Sequence, residues 1–455
     1  MPDLSIRFAG IPSPNPFWLA SGPPTNTAFQ VCRAFEAGWG GAVWKTIGHD
    51  PPILNVSARY GGIDFDGRRL MGLNNIELIS DRPLADNLRE LAEVKRRFPD
   101  RALIASVMVA SNREAWHDIV QRCQDTGIDG FELNFGCPHG MNERGMGSAV
   151  GQVPEYAEMI TGWAKEKSRV PVLVKLTPNV TDIAAVARAA VNGGADGISL
   201  INTINSIMGV DLDTLAPRPS VGGEGTHGGY CGPAVKPVAL HMVAAVAKAA
   251  PGTPVSGIGG IRKWTDAAEF LLLGASSLQV CTAVMHRGFG VVKGLVRGLT
   301  DWMAEKGLER IADVAGRSLP RIKPWGDLDL NHRTVAHIEE SKCIHCGICY
   351  ASCEDGCYQA IRWEKMPRGE YVARFGEPRK LRAGEAAPAM DLDTGGTVDV
   401  FTVKPDACVG CNMCALACPV EGCITMKEIP SGKPPLSWNQ YQALPPETRD
   451  DALAD

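Results

Sequence analysis

Short apolar runs alternate with amphipathic stretches from Phe17 to about Thr282. Runs of this kind predict buried strands. The predicted strands are Phe17–Ala20, Ala42–Lys45, Leu103–Val107, Gly130–Asn134, Val172–Leu176, Gly197–Asn202, Val255–Gly260 and Leu278–Thr282. The helical stretches among and after them include Leu84–Phe98, Trp116–Thr126, Pro154–Lys167, Ile183–Asn192, Val235–Ala250, Trp264–Leu273 and Leu295–Lys306. Eight β–α units in series predict an α/β fold, a (β/α)8 TIM barrel.

Beyond the eight predicted units, the composition of the chain changes, and this change predicts further domains. The predicted boundaries are a barrel over 1–310, a linker over 311–334, a small α+β ferredoxin-like domain over 335–430 and a tail over 431–455. The linker contains Pro320 and Pro324. An insert over 354–407 is long for a loop in a compact domain, so we expect it to contain strands. The tail is rich in proline and charge, so we expect it to be extended.

A chain of 455 residues allows two or three domains and a full core. The aliphatic, charged and glycine contents are those of an ordinary soluble enzyme. A net charge of −5 gives no reason to expect nucleic acid or anionic membrane as partners. The start, Met1 to Gly10, lacks a signal-peptide pattern. Of 15 cysteines, ten lie between Cys343 and Cys423. Thiolate ligands need a reducing compartment, so the expected location is cytoplasmic.

Two cysteine runs share one spacing. They are Cys343-x-x-Cys346-x-x-Cys349-x-x-x-Cys353 and Cys408-x-x-Cys411-x-x-Cys414-x-x-x-Cys418, the second followed by Pro419. In this pattern three cysteines bind one 4Fe–4S cube and the fourth binds the other cube. The predicted ligands are Cys343, Cys346, Cys349 and Cys418 for cluster 1, and Cys408, Cys411, Cys414 and Cys353 for cluster 2. Structural zinc is the alternative. Cys357 and Cys423 follow complete runs, so we expect them to pack beside the clusters.

Polar residues recur where the predicted barrel strands end, which is where barrel enzymes place their catalytic groups. Lys45 and Lys175 end strongly apolar strands, and so do Asn134 and Asn202. The lysines suit the edge of a flavin on which reduction builds negative charge. The alternative for each lysine is a buried ion pair.

Small residues end the last two predicted strands, with Gly259 and Gly260 at the end of one and Cys281 and Thr282 at the end of the other. Loops at these places often bind a phosphate in barrels. The alternative is that the glycines only make tight turns. The glycines around Met146 lie too far from a strand to form a dinucleotide fingerprint. We therefore expect a lid there and no NAD site in this chain.

The densest group of reactive residues lies just after the fourth predicted strand, in the run from Asn134 to Gly140. It contains Cys137 and His139. A thiol beside a histidine can act as a general acid toward carbon. The alternative is a buried cysteine that only packs in a turn.

Several of these motifs together resemble the dihydropyrimidine dehydrogenases. The motifs are the run from Asn134 to Met141, the Glu143-Arg-Gly-Met-Gly loop, Lys175-Leu-Thr-Pro-Asn and Asn75-Ile-Glu-Leu-Ile. The likeness covers nearly the whole chain, and the barrel also resembles dihydroorotate dehydrogenases. The family often has serine where this chain has Gly136. A serine there would help position the proton.

The resemblance implies FMN in the barrel and two 4Fe–4S clusters. In the family, hydride from flavin N5 goes to C6 of the pyrimidine, while a cysteine matching Cys137 protonates C5 and a residue matching His139 tunes that proton. Positions matching base-binding residues are Asn75, Asn134, Asn202 and Thr203. Positions matching flavin or phosphate contacts are Ala20, Lys45, Thr46, Lys175, Gly232, Gly259, Gly260, Cys281 and Thr282.

The resemblance also implies an activity, the NAD-dependent and reversible reduction of uracil or thymine to the 5,6-dihydro form. Electrons would come from a partner flavoprotein subunit that carries FAD and the NAD(H) site, which makes a hetero-oligomer the expected assembly. Two alternatives stay open. One is a ferredoxin-coupled enzyme of the dihydroorotate dehydrogenase type, whose substrate carboxylate calls for a cation beside the asparagines. The other is a flavin and iron–sulfur electron carrier without substrate chemistry.

Overall fold

The computed structural model describes residues 1–64, 70–379 and 396–453. The chain divides into two compact units, Met1–Ile322 and Lys323–Asp455. Within the described ranges, no helix combines the length and the apolar character needed to cross a bilayer.

The described residues of the first unit form fourteen strands. They are β1 Ile6–Phe8, β2 Ile11–Ser13, β3 Phe17–Leu19, β4 Gly41–Val43, β5 Tyr60–Asp64, β6 Leu70–Asn75, β7 Ala102–Val107, β8 Gly130–Phe135, β9 Val172–Leu176, β10 Gly197–Leu200, β11 Ile204–Ser206, β12 Gly228–Cys231, β13 Val255–Ile258 and β14 Ala275–Val280. Eight of them close a parallel barrel in the order β3-β4-β7-β8-β9-β10-β13-β14. The predicted (β/α)8 fold is confirmed, and its strands are those that the apolar runs indicated.

Helices follow the barrel strands and cover them. They are α1 Ala28–Ala37, α2 Leu84–Arg97, α3 Arg113–Gln124, α4 Ser148–Gly151, α5 Pro154–Lys167, α6 Ile183–Asn192, α7 Lys236–Ala249, α8 Trp264–Leu272, α9 Thr282–Arg287, α10 Val291–Glu305 and α11 Ile311–Val314. Helix α3 illustrates their construction. The Asn112 side chain caps its start by accepting from the Ala115 amide. Trp116, Ile119 and Cys123 recur at helical spacing and are buried on its inner face.

The last barrel strands end earlier than the sequence predicted. Strand β13 stops at Ile258 because Gly259 and Gly260 adopt φ of 130° and 77°, which an extended strand does not allow. Strand β14 ends at Val280, and Thr282 already begins α9. These early ends leave short loops at the carboxyl edge of the barrel.

An antiparallel sheet of four strands in the order β11-β12-β6-β5 was not predicted. It joins residues from two distant loops, since Asn75 of β6 pairs with Gly229 of β12. Its strands are short and contain many glycines and asparagines, so no apolar alternation marks them in the sequence. The sheet brings Asn75 to the end of the barrel that carries the other predicted site residues.

The second unit is a small α+β domain with a core of its own. Its strands are β15 Arg333–Ile338, β16 Ile361–Pro367, β17 Thr397–Val403 and β18 Ile424–Ile429, and its helices are α12 Ile348–Glu354, α13 Arg368–Phe375, α14 Met413–Ala417, α15 Trp438–Ala443 and α16 Arg449–Ala452. Strand β15 pairs antiparallel with β18, and β16 pairs antiparallel with β17. The described part of the stretch predicted as an insert thus contains two strands and a helix.

Two segments differ from their expected form. Helix α11 lies in the predicted linker, yet Ile311 and Val314 belong to the core of the barrel. The tail predicted to be extended contains α15, whose start is capped by the Ser437 hydroxyl. Trp438 of this helix packs against Trp325 at 6.0 Å between ring centroids. The packing of the two tryptophan rings stabilises the helix, although the proline and charge content of the tail suggested an extended chain.

Candidate functional site

A cavity of about 520 Å³ lies at the carboxyl ends of the barrel strands. Every barrel residue that the sequence proposed for the site lines this cavity. They are Ala20, Lys45, Thr46, Asn75, Asn134, Cys137, His139, Lys175, Asn202, Thr203, Gly232, Gly259, Gly260, Cys281 and Thr282. They come from many separate elements, which the closed barrel brings to one edge.

A chain of hydrogen bonds orients the amide side chains of the cavity. Asn202 Nδ2 donates to Asn134 Oδ1 over 3.0 Å, and Asn134 Nδ2 donates to Thr46 Oγ1 over 3.0 Å. The Gly136 amide also donates to Asn134 Oδ1 over 3.1 Å. Separately, Asn75 Nδ2 donates to the Gly229 carbonyl over 3.1 Å. These contacts fix which edge of each amide faces the cavity, which suits recognition of a ring that offers both donors and acceptors.

Gly136 makes room for one of these amides. A Cβ at this position would lie 2.4 Å from the Cβ and from Nδ2 of Asn202. A serine here, which the related family often carries, therefore requires Asn202 to move. Glycine at this position and the observed placement of Asn202 go together.

Cys137 and His139 lie on the loop after β8. The Cys137 Sγ donates to the His139 carbonyl over 3.4 Å. Burial raises the pKa of the Cys137 thiol to about 11, so the thiol is protonated near neutral pH. Burial also lowers the pKa of His139, so its imidazole is neutral there. His139 Nε2 lies 3.1 Å from the Glu77 carbonyl, and its Nδ1 has no hydrogen-bond partner among the described residues.

The loop predicted as a lid packs behind Cys137. Ser148 donates its amide to the Cys137 carbonyl over 3.0 Å. A Cβ at Gly147, which has φ of 58°, would lie 2.8 Å from that carbonyl oxygen. Glycine is needed here for close approach and for its backbone angle. A lid movement of this loop stays a prediction.

Both predicted flavin-contacting lysines are buried and paired with carboxylates. Lys45 Nζ lies 2.5 Å from Glu77 Oε1, and Lys175 Nζ lies 3.5 Å from Glu132 Oε1. The alternative of a buried ion pair is therefore realised for each lysine. Both lysines also line the cavity, so the two interpretations are compatible.

Glu77 and Gln279 also belong to the site, although neither was predicted from the sequence. Glu77 lines the cavity, and its carboxylate also contacts Arg59 over 3.1 Å and accepts from the Tyr60 hydroxyl. Gln279 of β14 lines the cavity too and donates to Glu132 Oε2 over 2.8 Å. The signal for Glu77 was its place two residues after Asn75. Nothing in the sequence pairs it with Lys45, which lies on another element.

The cavity fits an FMN by size and by chemistry. Its volume lies in the range of cofactor sites, roughly 300 to 1,000 Å³. Buried lysines and small residues supply polar contacts and room along the cavity wall, and so does Gln279 Oε1, which has no hydrogen-bond partner among the residues that the structure describes. Gly232, Gly259 and Gly260 all have positive φ, which favours glycine at these positions. This donor set suits a group with a polar ring and a phosphate.

Two further cavities in the second unit are lined by cysteines. Cys343, Cys346, Cys349 and Cys418 line one cavity together with Cys423, and Cys353, Cys408, Cys411 and Cys414 line the other together with Cys357. Each fourth cysteine thus lies with the three of the opposite run, as the crossed pattern predicted. Backbone amides point to sulfur, since Ala360 N lies 3.3 Å from Cys353 Sγ and Ala336 N lies 3.4 Å from Cys408 Sγ. Such bonds stabilise and tune iron–sulfur clusters.

Comparison with known families assigns both units. Residues 3–303 match the dihydroorotate dehydrogenase family, and residues 342–422 match the 4Fe-4S dicluster domain. The barrel is therefore of the FMN-binding type, and the cysteine runs bind 4Fe–4S clusters rather than zinc.

Individual relatives cover most of the chain. The NAD-dependent dihydropyrimidine dehydrogenase subunit PreA of Escherichia coli is 40% identical over 397 residues, which is 86% of this chain and 95% of that protein. The chloroplastic dihydropyrimidine dehydrogenase (NADP(+)) of Arabidopsis thaliana is 44% identical over 338 residues, 72% of this chain and 79% of that protein. The catalytic subunit of dihydroorotate dehydrogenase B (NAD(+)) of Pyrococcus horikoshii is 38% identical over 322 residues, 70% of this chain and 98% of that protein.

A solved structure supports the fold. The dihydroorotate dehydrogenase of Eimeria tenella, in complex with ferulenol, aligns with a TM-score of 0.58 at 21% identity, covering 70% of this chain and 89% of that chain. The family match and the sequence relatives show that this chain belongs to the dihydroorotate dehydrogenase family and, within it, to the dihydropyrimidine dehydrogenases, and that it also has a 4Fe–4S dicluster domain.

Proposed function

We propose that this chain is the pyrimidine-reducing subunit of an NAD-dependent dihydropyrimidine dehydrogenase. It reduces the 5,6 double bond of uracil or thymine in a reversible reaction. The observation that carries this proposal is the protonated, buried thiol of Cys137 in the same cavity as Asn134 and Asn202. A proton donor beside amides that match a cyclic ureide is what this reduction requires.

In this proposal, side chains of the barrel hold the base and deliver a proton. Asn75, Asn134, Asn202 and Thr203 bind the polar edges of the ring. A flavin bound in the cavity supplies hydride for C6 and accepts it in the reverse reaction. Cys137 gives its proton to C5, and its thiolate is reprotonated from solvent before the next turnover. The neutral His139, which follows it on the loop, tunes that proton.

Ala20, Lys45, Thr46, Lys175, Gly232, Gly259, Gly260, Cys281 and Thr282 are the residues that would hold the FMN. Of these, the two lysines place positive charge at the cavity wall, where it stabilises negative charge that develops on reduction. Their carboxylate partners, Glu77 and Glu132, limit that charge. In the cysteine-lined cavities, the ligands proposed are Cys343, Cys346, Cys349 and Cys418 for cluster 1, and Cys408, Cys411, Cys414 and Cys353 for cluster 2.

A partner flavoprotein, PreT-like and carrying FAD, supplies electrons from NAD(H) in this proposal. The name of the Escherichia coli relative, a subunit of an NAD-dependent enzyme, supports a partner. The cysteine-lined cavities would hold clusters whose chemistry is single-electron transfer, which a relay between such a partner and the FMN would require. We expect NADH alone to leave the flavin of the purified chain oxidised, and NADH with the flavoprotein to bleach it. Rapid bleaching by NADH without any partner would remove the partner from the proposal.

The same purified chain distinguishes between substrates. Mixed anaerobically with dihydrouracil, the flavin should lose its yellow absorbance, whereas dihydroorotate should leave it unchanged. Bleaching by dihydroorotate would instead favour the dihydroorotate dehydrogenase alternative, which the Pyrococcus relative supports. If neither compound bleaches the flavin, the chain is an electron carrier and the proposed activity is wrong.

A further inference from the structure

The Lys45–Glu77 ion pair lies in the wall of the cavity, next to the residues assigned to the base. Glu77 follows Asn75 by two positions, and its carbonyl contacts His139 Nε2 over 3.1 Å. The Glu77 side chain is 7% exposed, and the Lys45 side chain is 5% exposed. The pair is therefore desolvated, and its charges act at close range on anything bound beside it.

Three groups converge on the Glu77 carboxylate. Its Oε1 lies 2.5 Å from Lys45 Nζ and 3.1 Å from Arg59 Nη1, and its Oε2 accepts from the Tyr60 hydroxyl. Burial and the adjacent carboxylate raise the pKa of Tyr60, so this hydroxyl remains a donor. The contacts hold the carboxylate in one position in the wall, with Lys45 engaged by it.

In the part of the chain that the structure describes, three other cationic side chains line the cavity, and their partners or positions set them apart from the residues assigned to the base. Lys175 pairs with Glu132 over 3.5 Å. Arg262 and Arg287 belong to the loop after β13 and to α9, where the small residues assigned to the flavin and its phosphate lie. Among the described residues, the lysines that line the cavity are Lys45 and Lys175, and each has a carboxylate partner.

We propose that Glu77 is a specificity residue that excludes pyrimidines carrying a carboxylate at C6. It occupies Lys45, the cation that such a carboxylate would need, and its own negative charge repels the incoming group. A specificity device of this kind adds a repulsive element against the wrong ligand. This inference rests on the proposed function, because it assumes that the base binds beside the asparagines.

Glu77→Gln tests the inference with binding measurements on the oxidised, flavin-loaded chain. The visible flavin spectrum reports dissociation constants for uracil, orotate and uracil-6-carboxamide, the last being a neutral compound of nearly the same shape as orotate. In the wild type we expect orotate to bind much more weakly than the carboxamide. In E77Q the orotate-to-carboxamide affinity ratio should rise by about 10- to 100-fold, since like-charge contacts cost several kcal/mol and tenfold is 1.4 kcal/mol.

Asp81→Asn is the matched control. Asp81 pairs with Arg59 over 3.5 Å, is partly exposed and does not line the cavity, so D81N makes the same change in net charge. It should leave the ratio within about threefold of wild type. Removing the cation as well, in Lys45→Met combined with E77Q, should abolish the gain for orotate. An unchanged ratio in E77Q, or an equal rise in D81N, would overturn the inference.

The outcomes separate this inference from the proposed function. If uracil fails to perturb the wild-type flavin, the proposed function fails. If uracil binds and E77Q keeps the wild-type ratio, only the specificity role fails. Should E77Q lose its flavin, Glu77→Met repeats the measurement at similar side-chain volume. Loss of flavin from both variants, while D81N retains it, would show that Glu77 holds the cofactor wall instead of selecting the base.

Discussion

The barrel and the cysteine domain prepare their sites in opposite ways. In the barrel, a large apolar core lies below the cavity, and the site side chains are held by bonds to one another. In the second unit, five of the ten buried residues in the main core cluster are cysteines. The barrel therefore has a core that is independent of its cofactor, whereas four of the ten residues in the main core cluster of the small domain are proposed cluster ligands, namely Cys343, Cys349, Cys353 and Cys414. Small domains bury little apolar surface and commonly depend on a bound metal for stability.

Loss of one cluster should have the largest effect of the changes considered, and this effect should be confined to the second unit. In Cys414→Ser we expect the iron content to fall from about eight to about four per chain or lower, because two cubes hold eight irons. Unfolding of the second unit should follow, while the barrel keeps FMN. Iron analysis measures the loss of the cluster, and limited proteolysis measures the unfolding of the second unit. Cys357→Ser is the control and should keep its iron; loss of iron there would make Cys357 a ligand, and loss of FMN in C414S would contradict the independence of the barrel.

Removal of the proposed acid should change chemistry without changing either fold. Cys137→Ala should lower turnover by about 10²- to 10⁴-fold, as is typical when a general acid is lost. FMN and iron should remain at wild-type levels. Cys32→Ala, at a buried cysteine of α1, is the control for loss of a buried thiol. Wild-type turnover in C137A would exclude Cys137 from the mechanism.

The pH dependence of the two directions should differ, because Cys137 must be protonated to give a proton and ionised to take one. With a pKa raised to about 11, reduction of uracil should stay level on this account from about pH 7 to 9 and decline only near the thiol pKa. Oxidation of dihydrouracil should rise about tenfold per pH unit over the same range. Rapid single-turnover measurements isolate these steps. A plateau in the oxidation rate at neutral pH would place the acid elsewhere.

A smaller effect is expected where the chain departs from its family. Gly136→Ser should displace Asn202, whose Nδ2 would lie 2.4 Å from the new Cβ, and weaken uracil binding by roughly tenfold through lost hydrogen bonds. Gly294→Ser is the control, since α10 leaves open space at that position. Uracil binding in G136S that equals wild type would show that Asn202 moves freely or does not bind the base.

The contrast between the units also explains what the sequence could predict. The cysteine runs carry their chemistry in local spacing, and the barrel strands appear as apolar runs, so both were accessible. The four-stranded sheet was not, because the pairing of Asn75 with Gly229 joins loops that are far apart in sequence. Glu77 was missed for the same reason, since its role arises from a contact with Lys45 across the fold. Helix α11 and the tail helix depend on tertiary packing that a local pattern of proline and charge does not reveal.

In the proposed reaction, the barrel thiol of Cys137 protonates a pyrimidine bound beside it. The most direct measurement is the reduction of uracil in D₂O by the dithionite-reduced chain, with NMR of the product. Protonation by Cys137 predicts that the wild type places deuterium on one face of C5, and that Cys137→Ala loses both the rate and the facial selectivity. Product formed by C137A at the wild-type rate, with deuterium on the same face of C5, would contradict it.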